Sequence, residues 1–447
     1  MAFTLSTVTE ILKTDFKPRV RAQLNNATVL HGFVKKDPEA YQGSEAKLAL
    51  HNSRNVGTGA RREGAKLPVA GNQGYANAKF GVAYLYGGIS LTGPSMKATR
   101  NDVGAYVRGL HSEMVGLTKD LKVDMNRQLW HDGTGVLTHT LANSAGATND
   151  VEVESTKFIK VGMQIMIVDK DAVVKAVGRT VTVVIDDNNF TIDGGTITWA
   201  VGQLVIGGVN GTDADGARDI GSATLFRDKL EMWGLEAICS DVNPGRLRSA
   251  TLGTAVGLGG FDQGIVSGQF GQIDRNANSF WRSNFLTTQP RGTAAVSPRD
   301  LEMDLMQHAY DLSDIEADEE PGLILGNHAL KRRYAALLQA DKRYPSGGEI
   351  TLDGGYKALE FNGTALTADK DASLTATPQK LERFYFLVPS TLKFLIMADW
   401  QWMDEDGAML SRVSNKDQYE ATMFSYQDFA CDRPNANTVL DNVKETA

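Results

Sequence analysis

The sequence has few features of a secreted protein or a membrane protein. It contains two cysteines, Cys239 and Cys431, which lie far apart and form no metal-ligand motif. We predict that both are buried free thiols in a reducing compartment, because cytosolic disulfides are rare. No apolar run approaches the roughly 18–20 residues of a membrane span. The N-terminus also lacks the basic and apolar regions of a signal peptide.

Motifs for catalysis are missing as well. The seven histidines include no His-x-x-x-His pair and no cysteine partner at ligand spacing. Residues 257–260 lack the Lys and Ser or Thr of a phosphate loop, and residues 213–216 lack the glutamate of a calcium loop. His308 lies on the apolar stripe of a predicted helix and is interpreted as a core residue. We therefore predict no catalytic residue, no cofactor and no metal site.

The charge balance argues against nucleic-acid recognition. The 447 residues include 46 Lys and Arg and 54 Asp and Glu, for a net charge of −8. DNA binding needs a basic face that releases counterions, whereas an acidic protein can contain DNA without gripping it. The densest basic clusters are Arg61–Arg62 and residues 331–333. The acidic run 314–320 is interpreted as a solvated loop, or alternatively as a contact for a basic patch on a neighbour.

Residues 101–130 have the pattern of a long helix. Apolar residues recur every three or four positions from Val103 to Leu129, which predicts one apolar face. Thirty helical residues would span about 45 Å. The run ends in Trp130-His131-Asp132-Gly133-Thr134-Gly135, which predicts an abrupt stop.

The preceding segment, residues 56–95, is rich in glycine and weakly hydrophobic. Phe80, Val82, Tyr84 and Tyr86 alternate with other residues, which predicts a strand. We predict a long two-stranded hairpin. Such a hairpin is marginal in isolation, so we expect it to lie on a neighbouring subunit, with a mobile surface loop of a monomer as the alternative.

Later segments suggest two further regions. Residues 150–208 contain several short strands and a turn at 186–189, which predict a small β-barrel or sandwich. From residue 222 onward helices and strands alternate, beginning with an amphipathic helix over 226–237. Asn327 is predicted to cap another helix, and strands are predicted at 384–388 and 392–397.

This order of elements resembles the major capsid protein of tailed bacteriophages, with the Hong Kong 97 phage-type coat fold. A more specific local match lies within 323–388. There a helix ending in Leu337-Leu338-Gln339-Ala340-Asp341-Lys342-Arg343-Tyr344 is followed by residues 361–372 and by the strand Phe384-Tyr385-Phe386-Leu387-Val388. The resemblance covers nearly the whole chain except 150–208.

The resemblance implies an α+β coat fold with six regions. They are an N-terminal arm at 1–55, an extended β-hairpin loop at 56–95, a peripheral domain at 96–149 with a spine helix at 101–130, a β-rich insertion domain at 150–208, an axial α/β domain at 215–380, and C-terminal strands at 381–447. The implied function is structural: self-assembly into the icosahedral head shell that encloses the double-stranded DNA genome. The alternatives are an encapsulin-like nanocompartment subunit and an unrelated α/β enzyme with a β-insert.

The same resemblance implies the partners. Copies of the chain would form pentamers and hexamers, with a portal, a decoration protein and a separate scaffolding protein, because no helical scaffolding segment precedes the arm. We expect little or no N-terminal cleavage, no membrane partner, assembly in the host cytoplasm and residence in the virion.

Three residues near the tip of the loop are candidates for contact between subunits. We expect Arg61, Arg62 and Lys66 to pair with acidic residues of a neighbouring peripheral domain. Lys66 is also the candidate for a cross-link to a neighbour's asparagine, which some family members form.

Overall fold

The computed structural model describes residues 29–41, 43–94, 109–131, 133, 135–141, 148–168, 174–200, 202–207, 231–239, 269–275, 277–286, 300–317, 319–340, 349–351, 357–372, 381–404 and 410–444. Residues 213–216 and 257–260, which lack the residues of a calcium loop and of a phosphate loop, lie outside the described residues. In the part of the chain that the structure describes, no helix is long and apolar enough to cross a membrane.

Strands predominate among the described elements. They are β1 (Lys35–Asp37), β2 (Ala46–Ser53), β3 (Gly74–Phe80), β4 (Ala83–Thr92), β5 (Val136–His139), β6 (Asp150–Glu152), β7 (Gln164–Val168), β8 (Val174–Val184), β9 (Asn189–Ile192), β10 (Leu204–Gly207), β11 (Gln269–Phe270), β12 (Ile273–Asp274), β13 (Asn284–Leu286), β14 (Leu323–Gly326), β15 (Glu349–Thr351), β16 (Lys357–Phe361), β17 (Thr364–Ala368), β18 (Leu381–Leu387), β19 (Leu392–Trp402), β20 (Ser411–Arg412), β21 (Gln418–Cys431) and β22 (Thr438–Lys444). The α-helices are α1 (Gly109–Trp130), α2 (Leu235–Ile238), α3 (Met303–Ala317) and α4 (His328–Ala340).

The chain divides into two compact units. The smaller unit comprises the described parts of Tyr86–Asp124 and Trp400–Phe424. The larger unit comprises the described parts of Thr28–Leu85, Met125–Asp399 and Ser425–Ala447.

The larger unit contains a seven-stranded mixed sheet in the order β13-β22-β18-β14-β17-β16-β15. Tyr310 of α3 and Tyr334 of α4 both contact the ring of Phe361, at centroid distances of 6.0 Å and 6.1 Å. The two helices therefore share one apolar core with the sheet. The sheet contributes Ile324, Leu366, Phe384, Phe386, Leu440 and Val443 to this core.

Local sequence explains how α4 begins and how β16 turns into β17. Asn327 Oδ1 accepts a hydrogen bond from the backbone N–H of Leu330 at 2.7 Å, which satisfies a donor of the first turn. The predicted cap is confirmed. Asn362 and Gly363 have φ angles of 48° and 79°, as the central pair of a tight hairpin turn requires.

The described residues of 136–207 form a six-stranded antiparallel barrel, which we call the barrel. Its strands run in the order β5-β10-β7-β8-β9-β6. A bridge between Thr140 and Val153, which follow β5 and β6 directly, closes the sheet on itself. Its apolar core includes Leu137, Val151, Val153, Ile165, Ile167, Val181, Phe190, Ile192, Trp199 and Val205.

The predicted β-rich insertion is thus confirmed, as a barrel rather than a sandwich. Its first strand, β5, lies before the 150–208 range that the sequence indicates. Val136 of β5 pairs with Ile206 of β10, so the chain enters and leaves the barrel at neighbouring positions. At the predicted turn, Asp186 accepts hydrogen bonds from the backbone of Asn188 and the side chain of Asn189. These bonds lower the pKa of Asp186.

The smaller unit packs β4 closely against α1. A Cβ atom at Gly87 would lie 2.8 Å from Leu121 Cδ2 and 3.0 Å from Leu117 Cδ1. Glycine therefore sets how near the strand comes to the helix. In the same unit, Ser411 of β20 pairs with Glu420 of β21.

The predicted spine helix is confirmed where it is described. Residues 101–108 lie outside the described residues, and α1 ends at Trp130 as predicted. Gly133 and Gly135 follow with φ angles of 84° and 75°. This backbone region strongly favours glycine, which explains the stop.

The predicted helix over 226–237 is wrong within the described residues. Residues 231–234 are not helical, and α2 begins only at Leu235. A Cβ atom at Gly234 would lie 2.2 Å from His131 O and 2.4 Å from Gln128 O. The chain therefore passes directly against the end of α1, and this close approach replaces the helix.

The hairpin has different strand bounds from those predicted. Its first strand, β2, lies within the 1–55 range assigned to the arm, and Ala46 pairs with Phe80 of β3. The alternation from Phe80 to Tyr86 is not one strand, because β3 ends at Phe80 and β4 begins at Ala83.

Two interpretations of α3 are also corrected. His308 is exposed rather than buried, because the buried side of α3 runs through Leu305, Met306, Ala309 and Tyr310. The first part of the acidic run, residues 314–317, is helical rather than a loop.

Candidate assembly surface

The residues between β2 and β3 form an exposed loop, which we call the tip loop (residues 54–73). Val56, Leu67 and Val69 have exposed fractions of 90%, 79% and 79%. Apolar side chains this exposed, on one short segment, are typical of a contact with another molecule. The tip loop is therefore the leading candidate for a surface that is buried on assembly.

The predicted contact residues Arg61, Arg62 and Lys66 all lie on the tip loop and are exposed. Arg61 Nη1 donates a hydrogen bond to the adjacent carbonyl of Ala60 at 3.0 Å. Among the described residues, no carboxylate forms an ion pair with any of the three. Their charges therefore remain available to a partner.

The tip loop is held at its neck. Asn55 Oδ1 accepts a hydrogen bond from Gly57 N at 2.7 Å. A Cβ atom at Gly57 would lie 2.6 Å from Val69 O, and one at Gly71 would lie 2.5 Å from Asn55 Oδ1. The absence of side chains at Gly57 and Gly71 thus lets the two sides of the loop pack closely at its neck, which fixes the base of the tip loop.

The root of the hairpin packs into an aromatic cluster. Phe80 is 1% exposed, and its ring meets that of Phe270 edge-on at 5.2 Å. Phe270 also packs against Trp233 and Trp281, at centroid distances of 5.6 Å and 5.8 Å. Such pairs add stability beyond their buried area, so the root is firmly attached while the tip is bare.

Gly271 allows this attachment. Its carbonyl accepts a hydrogen bond from Lys79 N at 2.9 Å, and its φ angle is 57°. A Cβ atom there would lie 2.9 Å from Phe80 Cζ. Neither this backbone conformation nor this contact could be anticipated from the isolated glycine in the sequence.

A buried carboxylate cluster was not predicted from the sequence. Asp369 Oδ2 accepts hydrogen bonds from the backbone of Val29 and Leu30 at 3.1 Å and 3.4 Å. Asn126 Nδ2 donates to Asp369 Oδ1 at 3.2 Å and to Asp371 Oδ2 at 2.7 Å. We call Asn126, Asp369 and Asp371 the carboxylate hub. It fixes the chain at 29–30 to the end of α1 and to the end of β17. The polar residues directly after a buried strand were its only signal in the sequence.

The barrel is joined to this hub by Lys157. Its Nζ donates a hydrogen bond to Lys370 O at 2.7 Å, and Lys370 Nζ pairs with Asp371 at 2.9 Å. Burial lowers the pKa of Lys157, although the nearby carboxylates of Asp371 and Glu382 oppose the shift. Among the described residues, no group of His, Cys, Asp and Glu side chains is arranged to hold a metal ion. The hub therefore holds chain segments together.

Comparison with known proteins identifies the fold. No family model matches the sequence, and no curated protein matches it. A chain of the cyanophage A-1(L) capsid asymmetric unit is similar over 99% of both chains, at 11% identity and a TM-score of 0.55. The chain thus has the fold of a phage capsid protein, which confirms the predicted α+β coat fold.

Two further solved structures cover as much of the chain. The holo-SrpI encapsulin complex from Synechococcus elongatus PCC 7942 covers 100% of this chain and 98% of its own, at 8% identity and a TM-score of 0.49. A chain of Mycobacterium phage Bobi covers 100% of both, at 8% identity and a TM-score of 0.47. Both TM-scores lie below 0.5, so the fold assignment rests on the cyanophage chain.

Proposed function

We propose that this chain is the major capsid protein of a tailed phage and assembles into the icosahedral shell around double-stranded DNA. The observation that carries the proposal is the tip loop: exposed apolar and cationic side chains on a firmly rooted hairpin. The capsid-type fold supports it. The net charge of −8 suits a container that does not grip DNA.

The proposal assigns roles to the regions of the chain. Residues 1–55 and 56–95 reach over neighbouring subunits, the former as an arm and the latter as the extended loop. Residues 96–149 form the peripheral domain, and residues 215–380 form the axial domain around the five-fold and six-fold axes. The C-terminal strands of 381–447 return to both domains. The barrel is an added domain.

The mechanism is assembly without catalysis. A contact of standard size buries about 800 Å² per partner, and a closed shell repeats it many times, which makes the sum hard to reverse. A scaffolding protein, a portal and a decoration protein are the proposed partners. Assembly takes place in the host cytoplasm, and the product is the virion shell.

Charge reversal on the tip loop tests the proposal. Arg61→Glu combined with Arg62→Glu places like charges against an acidic neighbour, so we expect few or no shells by negative-stain microscopy. The melting temperature should not change, because both side chains are exposed and no described carboxylate pairs with either of them. Lys160→Glu combined with Lys416→Glu makes the same charge change at exposed positions outside the hairpin and is the matched control.

Normal shells from the Arg61 and Arg62 variant would contradict the role of these two residues. A wild-type chain that stays monomeric when its scaffolding protein is supplied would contradict shell formation itself. Shells filled with a cellular enzyme instead of DNA would favour the encapsulin-like alternative. Denaturing gels of mature particles test the Lys66 cross-link, and a plain monomer band would contradict it.

A further inference from the structure

Helix α3 presents an acidic face to solvent. Its buried side contributes Leu305, Met306 and Tyr310 to the core of the larger unit. Between residues 300 and 330 the sequence contains nine carboxylates and no lysine or arginine. Seven of these carboxylates are exposed, and the six other than Asp300 define what we call the acidic face: Glu302, Asp304, Asp311, Asp314, Glu319 and Glu320.

The acidic face is not neutralised by the described part of its own chain. Asp300, which is not part of the face, pairs with Arg333 at 3.4 Å and Lys444 at 3.6 Å. No described cation pairs with the six carboxylates. Three of them accept hydrogen bonds, and the donors are the neutral side chains of Gln307, Tyr310 and Ser390.

The position of these charges on α3 is unfavourable for an isolated subunit. Asp311 and Asp314 are three residues apart, so they lie on one side of the helix and repel each other. Both lie in the second half of α3, toward the end where the helix dipole is negative, and no basic residue occupies the last turn. A cationic partner would relieve both effects.

Helix α4 has the opposite character. His328, Arg332 and Ala336 are exposed, and their four-residue spacing places them in one row on the helix. Arg332 supplies the charge of this row, which we call the cationic stripe. Arg332 is the middle one of residues 331–333, the only three consecutive basic residues in the sequence, and Arg333 beside it pairs with Asp300. No described carboxylate pairs with Arg332, and the small side chain of Ala336 lets another helix approach closely.

We infer that the acidic face of α3 in one copy docks against the cationic stripe of α4 in the next copy. The inference rests on the proposed function and names a specific contact within it. The two surfaces differ, so the contact is head-to-tail, and its repetition closes a ring or extends a filament. Complementary charge fixes the partner and the register of such a contact. A nucleic acid is a poor occupant because the acidic face repels it.

Two charge-reversal variants test the contact. The first is Asp311→Lys with Asp314→Lys, and the second is Arg332→Glu with Ala336→Glu. Each gives one copy two surfaces of like charge, so we expect shell yield to fall at least about tenfold. Glu152→Lys with Asp187→Lys makes the same charge change as the first variant at exposed positions of the barrel, and its yield should stay within about twofold.

Mixing the two variants gives the sharpest readout. The lysine face of the first fits the glutamate stripe of the second, and the remaining wild-type surfaces also fit each other. Copies of the two variants should therefore alternate, and the mixture should sediment faster at low salt than either variant alone. Alternation closes only even-numbered rings, so six-membered rings should form and five-membered rings should not.

The inference is overturned if both variants, folded by circular dichroism, give wild-type shells. It is equally overturned if their mixture sediments no faster than the separate proteins, which would mean that the faces bind other partners. The sedimentation readout needs no shell. A failure of wild-type shells would therefore count against the proposed function, and a failure of pairing would count against this contact.

Discussion

The barrel and the tip loop expose their apolar side chains to very different degrees. The barrel closes its sheet and encloses Phe190, which is fully buried. The tip loop leaves Val56, Leu67 and Val69 almost bare. The barrel therefore contributes to the stability of one subunit, whereas the tip loop can gain free energy from burial only when another copy covers it.

Truncation of a buried side chain in the barrel should change the stability of the subunit more than any substitution in the tip loop. Phe190→Ala leaves a cavity among enclosed side chains, so we expect the free energy of unfolding to fall by about 3–5 kcal/mol. Urea denaturation of the monomeric subunit measures it. Leu67→Ala in the tip loop is the matched control and should change stability by less than about 0.5 kcal/mol. Equal losses at the two positions would end the distinction.

Glycine substitution at the hairpin root should have the next largest effect. Gly271→Ala combines a strained φ angle with a contact against Phe80, so we expect a loss of about 1–3 kcal/mol. Gly195→Ala in the barrel has no atom within 4 Å of the added Cβ and no positive φ angle, so it should be close to neutral. Equal losses of stability for the two variants would contradict the close packing of Gly271 against Phe80 at the hairpin root.

Polar substitution of the tip should leave the subunit unchanged and weaken assembly. Leu67→Ser with Val69→Ser removes apolar area that only a neighbour would cover. We expect an unchanged melting temperature and a shell yield reduced by about tenfold or more, because about 1.4 kcal/mol lost per contact changes its equilibrium tenfold. A lower melting temperature with normal shells would show that these side chains stabilise the subunit and not the contact between subunits.

Thiol labelling distinguishes the buried interior from the exposed tip loop, and it should show the smallest effect. Burial raises the pKa of Cys431 to about 12 and also raises that of Cys239. At pH 8 both should resist a thiol reagent until urea unfolds the chain, whereas a Leu67→Cys probe should react at once. Because the pKa values of both thiols are raised in the folded state, the protonated thiols favour folding below the unfolded pKa of about 8.5. This contribution to stability is lost as pH rises toward 12. Rapid labelling of the wild-type chain at pH 8 would show that the cysteines are accessible.

Local signals in the sequence were the ones that predicted structure correctly. The end of α1 at Trp130, the cap at Asn327 and the turn at 186–189 each depend on a few adjacent residues. The apolar periodicity of α1 and the alternation in the insertion likewise follow from side-chain direction along a helix or strand. The order of the predicted helices and strands, on which the resemblance to coat proteins depends, likewise follows from local patterns.

Contacts between distant residues could not be predicted. Asp369 meets Val29 and Asn126 only in the folded chain, and Phe80 meets Phe270 across a long stretch of sequence. Residues 231–234 are not helical, because Gly234 lies directly against His131, which no local pattern reveals. The tip-loop cations were found from composition and position alone, and their partners remain predictions.

The pairing of Val136 with Ile206 has a further consequence for engineering and for descent. The barrel begins and ends at one place, so its removal or replacement leaves two chain ends that a short connection can join. A segment with adjacent ends behaves as a cassette: it can be gained, lost or exchanged without moving the helix that precedes it. A foreign domain whose termini lie close together is therefore suited to insertion at this position. Helix α1 would still end at Trp130, because Gly133 and Gly135 would still follow it.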